Sequence, residues 1–190
     1  MLGQLSVNPP AGRASLPRVT LVLGGARSGK SRHAEAMIER AAGGGLYLAT
    51  ATVGDAEMAE RVARHRQRRG PQWTTIEEPL EIAAGLGAAS RPVLVDCLTL
   101  WLANLLQAGR DPASESEILL AALTAMPMPA VLVANEVGLG IVPENALARR
   151  FRDHAGLLHQ RIAALADRVV LMAAGLPLTL KDTVAAESIR

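Results

Sequence analysis

The segment Gly24-Gly25-Ala26-Arg27-Ser28-Gly29-Lys30-Ser31 stands between a short β-prone run, Val19-Thr20-Leu21-Val22-Leu23, and a helix-forming stretch, Lys30 to Ala42, that stops at Gly43-Gly44-Gly45. The spacing G-x-x-x-x-G-K-[ST] in a strand-to-helix context marks a loop that wraps phosphate, and it limits the fold more than any other feature of the chain. Glycines let successive backbone N–H groups turn inward, and the helix that follows adds the positive end of its dipole. Lys30 would reach the β- and γ-phosphates, and the Ser31 hydroxyl would ligate Mg²⁺. A glycine turn with an incidental lysine is the alternative, and the flanking strand and helix argue against it. Gly24, Gly25, Ala26, Arg27, Ser28, Gly29, Lys30 and Ser31 are therefore candidate nucleotide-binding residues.

The strand, turn and helix unit recurs along the chain. Leu46 to Thr50 reads as a strand, Asp55 to Arg69 as a charged helix, Pro79 to Ala89 as a helix, and Val93 to Cys97 as a strand. Leu98 to Gln107 and Ser114 to Ala125 read as helices, Val131 to Ala134 as a strand, Pro143 to Ala166 as a helix, and Arg168 to Ala173 as a strand. Short apolar strands without polar alternation suit a parallel sheet covered on both faces. The expected fold is a single α/β domain, P-loop NTPase-like (RecA-like), with a mostly parallel sheet. Residues 1–17, with three prolines and two glycines, read as a loosely ordered N-terminal extension, and 18–190 as the nucleotide-binding domain.

Composition removes several function classes. At 190 residues the chain has room for one sizeable core. A formal charge of +2 is too weak a field to argue for nucleic acid, and two Trp, one Tyr and one Phe are too few rings for a base-stacking platform. No apolar run approaches the 18 or so residues of a membrane span. The single cysteine, Cys97, rules out an internal disulfide and a Cys-based zinc site. The start lacks the charged head and apolar middle of a signal peptide, so the expected location is cytoplasmic.

Two further features bear on chemistry. Asp96 ends the apolar run Val93-Leu94-Val95, where a parallel sheet opens its ligand crevice, so it reads either as a carboxylate holding the water shell of Mg²⁺ or as the N-cap of the next helix. Asn135-Glu136 falls on the same rim after Val131 to Ala134, in a role the sequence does not specify. On a helix, Arg61, Arg64, His65 and Arg68 share one face. That face reads either as a solvated basic surface or as a triphosphate site in which neighbouring guanidinium groups keep His65 neutral and nucleophilic. Taken by residues alone, the chain is either a transferase or a nucleotide-driven switch.

The phosphate loop with its continuation Arg32-His33-Ala34-Glu35 resembles the bifunctional adenosylcobinamide kinase/adenosylcobinamide-phosphate guanylyltransferase family of cobalamin biosynthesis. The resemblance continues through Tyr47-Leu48-Ala49-Thr50-Ala51, Asp55-Ala56-Glu57-Met58, Arg61-Val62, His65, Trp73 to Pro79 and Val95-Asp96-Cys97-Leu98-Thr99. It resumes at Asn135-Glu136-Val137-Gly138-Leu139-Gly140-Ile141-Val142-Pro143, Arg150-Phe151-Arg152-Asp153, Ala166-Asp167 and Ala174-Gly175-Leu176-Pro177, and so spans nearly all of residues 19–181.

The resemblance implies two steps on one chain. A nucleoside triphosphate, ATP or GTP, would phosphorylate the aminopropanol hydroxyl of adenosylcobinamide. GTP would then guanylylate adenosylcobinamide phosphate through a covalent guanylyl-histidine, giving adenosyl-GDP-cobinamide and pyrophosphate. The matching histidine looks like His65. The family's nucleotide contacts would map onto the phosphate loop, onto Leu48, Ala49 and Thr50, onto Arg66, Gln67, Arg68 and Arg69, and onto Glu77 and Asp96. The resemblance also implies a homotrimer.

Overall fold

A computed structural model describes residues 15–52 and 69–184. Of the expected N-terminal extension only Ser15, Leu16 and Pro17 belong to that set. The expected basic helix lies outside the described residues up to Arg68, and with it His65, Arg66, Gln67 and Arg68; Arg69 is described and sits in a bend rather than a helix.

The described residues form one seven-stranded sheet flanked by helices. Its strands are β1 (Val19–Gly24), β2 (Leu46–Ala49), β3 (Thr74–Glu77), β4 (Val93–Asp96), β5 (Ala130–Asn135), β6 (Arg168–Ala173) and β7 (Leu176–Asp182), in the spatial order β3-β2-β4-β5-β1-β6-β7. The helices described are α1 (Lys30–Ala42), α2 (Ile82–Gly87), α3 (Leu98–Gln107), α4 (Pro112–Ala125) and α5 (Ala146–Leu165). All neighbouring strands run parallel except β6 and β7, which pair antiparallel. This is the mostly parallel α/β architecture expected from the strand and helix alternation.

Period-two alternation along each buried strand builds two cores, one on either face of the sheet. Leu21, Leu48, Val95 and Leu132 point to the side where Ile82 and Leu86 of α2, Trp101 and Leu105 of α3, Leu119 and Leu123 of α4, and Leu158 and Ile162 of α5 close over them. Val22, Tyr47, Leu94, Val131 and Val133 point to the other side, against Ala34 and Ile38 of α1 and against Trp73. Both faces of β1, β4 and β5 are thus dry, which is why β4 up to Asp96 and β5 up to Asn135 read as apolar runs and β1 is interrupted only by the buried Thr20. Truncating a residue such as Leu132, which is fully buried, to alanine would cost about 2–5 kcal/mol.

Capping residues shift the helix starts from their expected positions. Asp111 accepts from the N–H groups of Ala113 and Ser114 with Pro112 in the first turn, so α4 begins at Pro112 rather than Ser114. Asn145 accepts from Leu147 and Ala148, so α5 begins at Ala146 and not at Pro143. The structure also contains two strands that sequence periodicity does not announce, β3 and β7. Both are sheet edges with mostly exposed residues, so neither carries the apolar run that marks the central strands.

Strand β7 has a direct bearing on the phosphate loop. It returns from β6 through a two-residue turn, Ala174 and Gly175, whose φ angles of 50° and 81° follow the twist of a hairpin. The Gly175 N–H donates to the Ser28 carbonyl at 3.2 Å, so this hairpin braces the loop from the side opposite β5.

Candidate active site

The eight-residue loop leaves β1 at the C-terminal edge of the sheet. Gly24 has φ 151°, and a Cβ there would lie 2.5 Å from the Met172 carbonyl oxygen and 2.8 Å from Ser28 Oγ, so only glycine lets the chain turn between β6 and its own loop. Gly29, at φ 96°, is the N-cap of α1 and supplies no side-chain cap, which leaves the first N–H groups of the helix open to an anion. Lys30 is 7% exposed, and its Nζ donates to the Gly25 carbonyl at 2.6 Å, so the ammonium folds back across the loop it would share with a phosphate. Ser28 Oγ is buried without a hydrogen-bond partner among the described residues. Arg27, at φ 55°, forms the exposed tip.

A second group of candidate residues assembles at the ends of β2, β3 and β4. Ala49 pairs with Glu77 on one side and Asp96 on the other, so these three positions share one rim. Tyr47 donates from its hydroxyl to Asp96 Oδ2 at 2.6 Å. Burial, and next the negative charge of Asp96, raise the Tyr47 phenol far above its ordinary value, so it stays a donor. The Arg69 guanidinium lies 3.4 Å from the centroid of the Tyr47 ring, and Trp73 meets that ring edge-on at 6.2 Å. Arg69 Nε and Nη1 are buried with no hydrogen-bond partner among the described residues, an arrangement that costs about 1–3 kcal/mol for each donor unless an acceptor such as a phosphate oxygen satisfies it.

The cap alternative for Asp96 does not hold. The N-cap of α3 is Cys97, without a side-chain cap, and the Asp96 carboxylate is turned to Tyr47 instead. Burial and the neighbouring Asp96 charge push the Cys97 thiol up to about 11, so it is an inert thiol and not a nucleophile.

Two expected contact residues prove structural in their side chains. Leu48 is fully buried in the core, so any contact it makes with a nucleotide runs through its backbone. Thr50 Oγ1 donates to the Cys97 carbonyl at 2.8 Å and accepts from the Cys97 N–H at 2.7 Å, clasping the turn after β2 to the turn after β4. Asn104 Nδ2 adds a second clasp, donating to the carbonyls of Thr50 and Pro79 at 2.8 and 3.0 Å. This network was not legible in the sequence, since its partners are far apart along the chain.

The end of β5 fills the rim between the two groups. The Asn135 N–H donates to Thr99 Oγ1 at 2.6 Å, and the Glu136 N–H donates to the Gly24 carbonyl at 3.0 Å. His159, on α5, is 6% exposed and lies within electrostatic range of Glu136; burial holds it below its ordinary value, against the opposing pull of that carboxylate.

Ser31 in the first turn of α1 and Asp96 offer one hydroxyl and one carboxylate for a metal. Among the described residues no cluster of three or more His, Cys, Asp or Glu could hold an ion unaided. That donor set fits Mg²⁺, which keeps several waters and is shared with substrate phosphates, and does not fit an all-protein cage.

A sequence profile described as cobinamide kinase / cobinamide phosphate guanyltransferase matches residues 20–180. The chain is 52% identical over 167 residues to the bifunctional adenosylcobalamin biosynthesis protein CobP of Pseudomonas aeruginosa strain PAO1, across 85% of this chain and 96% of that protein. It is 44% identical over 179 residues to the bifunctional adenosylcobalamin biosynthesis protein CobU of Salmonella typhimurium, across 85% of this chain and 98% of that protein. Among solved structures it is similar to the flagellar accessory protein FlaH of Methanocaldococcus jannaschii, with a TM-score of 0.53 and 10% identity over 92% of this chain and 83% of that one. A solved ATPase domain gives a TM-score of 0.50 and 10% identity, over 88% of this chain and 78% of that one. Those two likenesses bear on the fold alone. No helix among the described residues is long and apolar enough to cross a membrane.

Proposed function

The chain belongs to the cobinamide kinase / cobinamide phosphate guanyltransferase family, and from that premise we propose that it performs both reactions at the one phosphate-binding loop. It is a transferase of adenosylcobalamin biosynthesis. In the first reaction ATP or GTP phosphorylates the aminopropanol hydroxyl of adenosylcobinamide. In the second, GTP transfers its nucleoside monophosphate to adenosylcobinamide phosphate and pyrophosphate leaves. The observation that carries this reading is an intact phosphate loop at 24–31 inside a family match that runs from residue 20 to 180.

The division of labour follows from charge. In both reactions negative charge grows on the leaving phosphates, and the loop N–H groups, Lys30 and the start of α1 are preorganised to stabilise it. Ser31 and Asp96 would hold Mg²⁺, which would supply neutralisation of phosphate charge when bound. Arg69 would place its two unpartnered donors on the nucleotide, with Arg66, Gln67, Arg68, Glu77 and the backbone of Leu48, Ala49 and Thr50 completing the contacts.

For the second reaction we assign His65 as the nucleophile. Its imidazole would attack the α-phosphorus of GTP, the bond to the bridging oxygen would break with its electron pair leaving on pyrophosphate, and the labile phosphoramidate would pass its guanylyl group to the cobinamide phosphate. Arg69 supports the placement. It lies over the ring of Tyr47, whose hydroxyl bonds Asp96, and four residues span at most about 14 Å, a length of chain that would let position 65 reach the rim.

A homotrimer accords with exposed apolar surface: Leu176, Leu178 and Leu180 along the edge strand β7, and Leu139, Ile141 and Val142 after β5. The working location is the cytoplasm. Incubation with adenosylcobinamide, GTP and Mg²⁺, followed by chromatography of the corrinoids, tests the function. Successive appearance of the phosphate and the GDP derivative supports it, and nucleotide hydrolysis with unchanged corrinoid would replace it with the switch alternative.

A further inference from the structure

Resting on the kinase reading, the geometry at the end of β5 points to a catalytic residue for the phosphorylation step, and we infer that Glu136 is the general base that takes the proton from the acceptor hydroxyl. A hydroxyl is a weak nucleophile, and a carboxylate within hydrogen-bond reach of the γ-phosphoryl face serves a kinase by orienting it and accepting its proton.

Strand order selects which carboxylate that is. The phosphate loop grows from β1, whose two neighbours are β5 and β6. Strand β6 ends in Ala173, Ala174 and Gly175, with no titratable group. Neighbouring strands lie about 4.8 Å apart, so Glu136 at the end of β5 stands about 5 Å to the side of β1, Asp96 on β4 about 10 Å, and Glu77 on β3 about 19 Å. Asp96 is in addition engaged by the Tyr47 hydroxyl.

The local geometry holds Glu136 ready. Its N–H continues the ladder to the Gly24 carbonyl at 3.0 Å, at the residue where the loop begins. Its Oε1 accepts from the Gly138 N–H at 2.5 Å, which fixes the side chain and leaves the other oxygen with no hydrogen bond among the described residues. It forms no ion pair among those residues, and His159 behind it is held toward the neutral form by burial. An unpaired carboxylate beside a phosphate cradle repels the nucleotide, which is a penalty in binding and an advantage only in proton transfer. In the step itself the hydroxyl oxygen bonds to the γ-phosphorus, its proton passes to Glu136, and the bond from the γ-phosphorus to the β,γ-bridging oxygen breaks with its electron pair leaving on the nucleoside diphosphate.

The test separates the two half-reactions. In Glu136→Gln, phosphorylation of adenosylcobinamide is expected to fall about 10²–10⁴-fold in kcat, with the KM for the triphosphate unchanged or lower. The kcat for guanylylation of separately prepared adenosylcobinamide phosphate at saturating GTP is expected to stay within about twofold of the parent value, with the KM for GTP unchanged or lower, which also reports that the variant is folded. Glu136→Asp should recover part of the kinase rate. Kinase turnover kept within a few fold in Glu136→Gln would overturn the assignment, and so would a parallel loss of both half-reactions. A parent protein that phosphorylates no cobinamide at all would instead remove the function on which the assignment rests.

Discussion

The Tyr47 hydroxyl donates to Asp96 Oδ2 at 2.6 Å, a partly buried hydrogen bond that joins β2 to β4 at the rim. It fixes one carboxylate oxygen, and Asp96 would help to hold Mg²⁺ when that ion is bound. Because a hydrogen bond to a charged group contributes about 1.5–3 kcal/mol to stability, Tyr47→Phe should lower the melting temperature by roughly 3–12 °C, and with the carboxylate no longer fixed it should raise the Mg²⁺ concentration needed for half-maximal turnover several-fold. Titration of activity with Mg²⁺, and of Mn²⁺ binding to the enzyme–nucleotide complex by electron paramagnetic resonance, checks this. An unchanged metal requirement in both assays would show that Tyr47 does not position Asp96.

Lys30 sits inside the loop with its ammonium on the Gly25 carbonyl. Removing it deletes a cation that meets growing phosphate charge in both reactions, so Lys30→Ala should lower each turnover number by about 10²–10³, with the fold retained. Parallel assays of the two half-reactions decide the matter. A variant that still phosphorylates cobinamide at the parent rate would place the triphosphate elsewhere.

Stability should depend on pH through His159. Burial holds this imidazole below 6.5 in the folded chain, so between its folded value and 6.5 the unfolded chain binds more protons than the folded one. Stability therefore rises with pH across that window and is lost as pH falls below about 6.5. His33, lowered by burial and then by Arg40 and Arg168, acts in the same direction, so the informative quantity is a difference. Thermal melts at pH 7.5 and 5.5 should show a smaller drop for His159→Asn than for the parent. Equal drops would mean that His159 titrates alike folded and unfolded.

The sequence discloses the phosphate loop and the central strands for a physical reason. Glycine spacing and apolar runs are local signals, and strands buried on both faces cannot avoid showing them. The edge strands β3 and β7 stay hidden because their residues face water, and β7 in addition carries Pro177. The bond from Tyr47 to Asp96 spans 49 positions, and the nearness of Glu136 to the loop follows from β5 lying beside β1, which no local pattern encodes. His65 is a different case. Its spacing with Arg61, Arg64 and Arg68 fits a solvated basic face as well as a catalytic one, and its role enters through the family resemblance alone.

Covalent transfer at position 65 is the centre of the account. Purified protein incubated with GTP labelled at the α-phosphate, with Mg²⁺ present, should acquire label that survives base and is released by acid, as a phosphoramidate requires; peptide mapping should place it on His65, and His65→Ala should remain unlabelled. Label that persists in His65→Ala, or a parent protein that turns over cobinamide phosphate without ever becoming labelled, would contradict it.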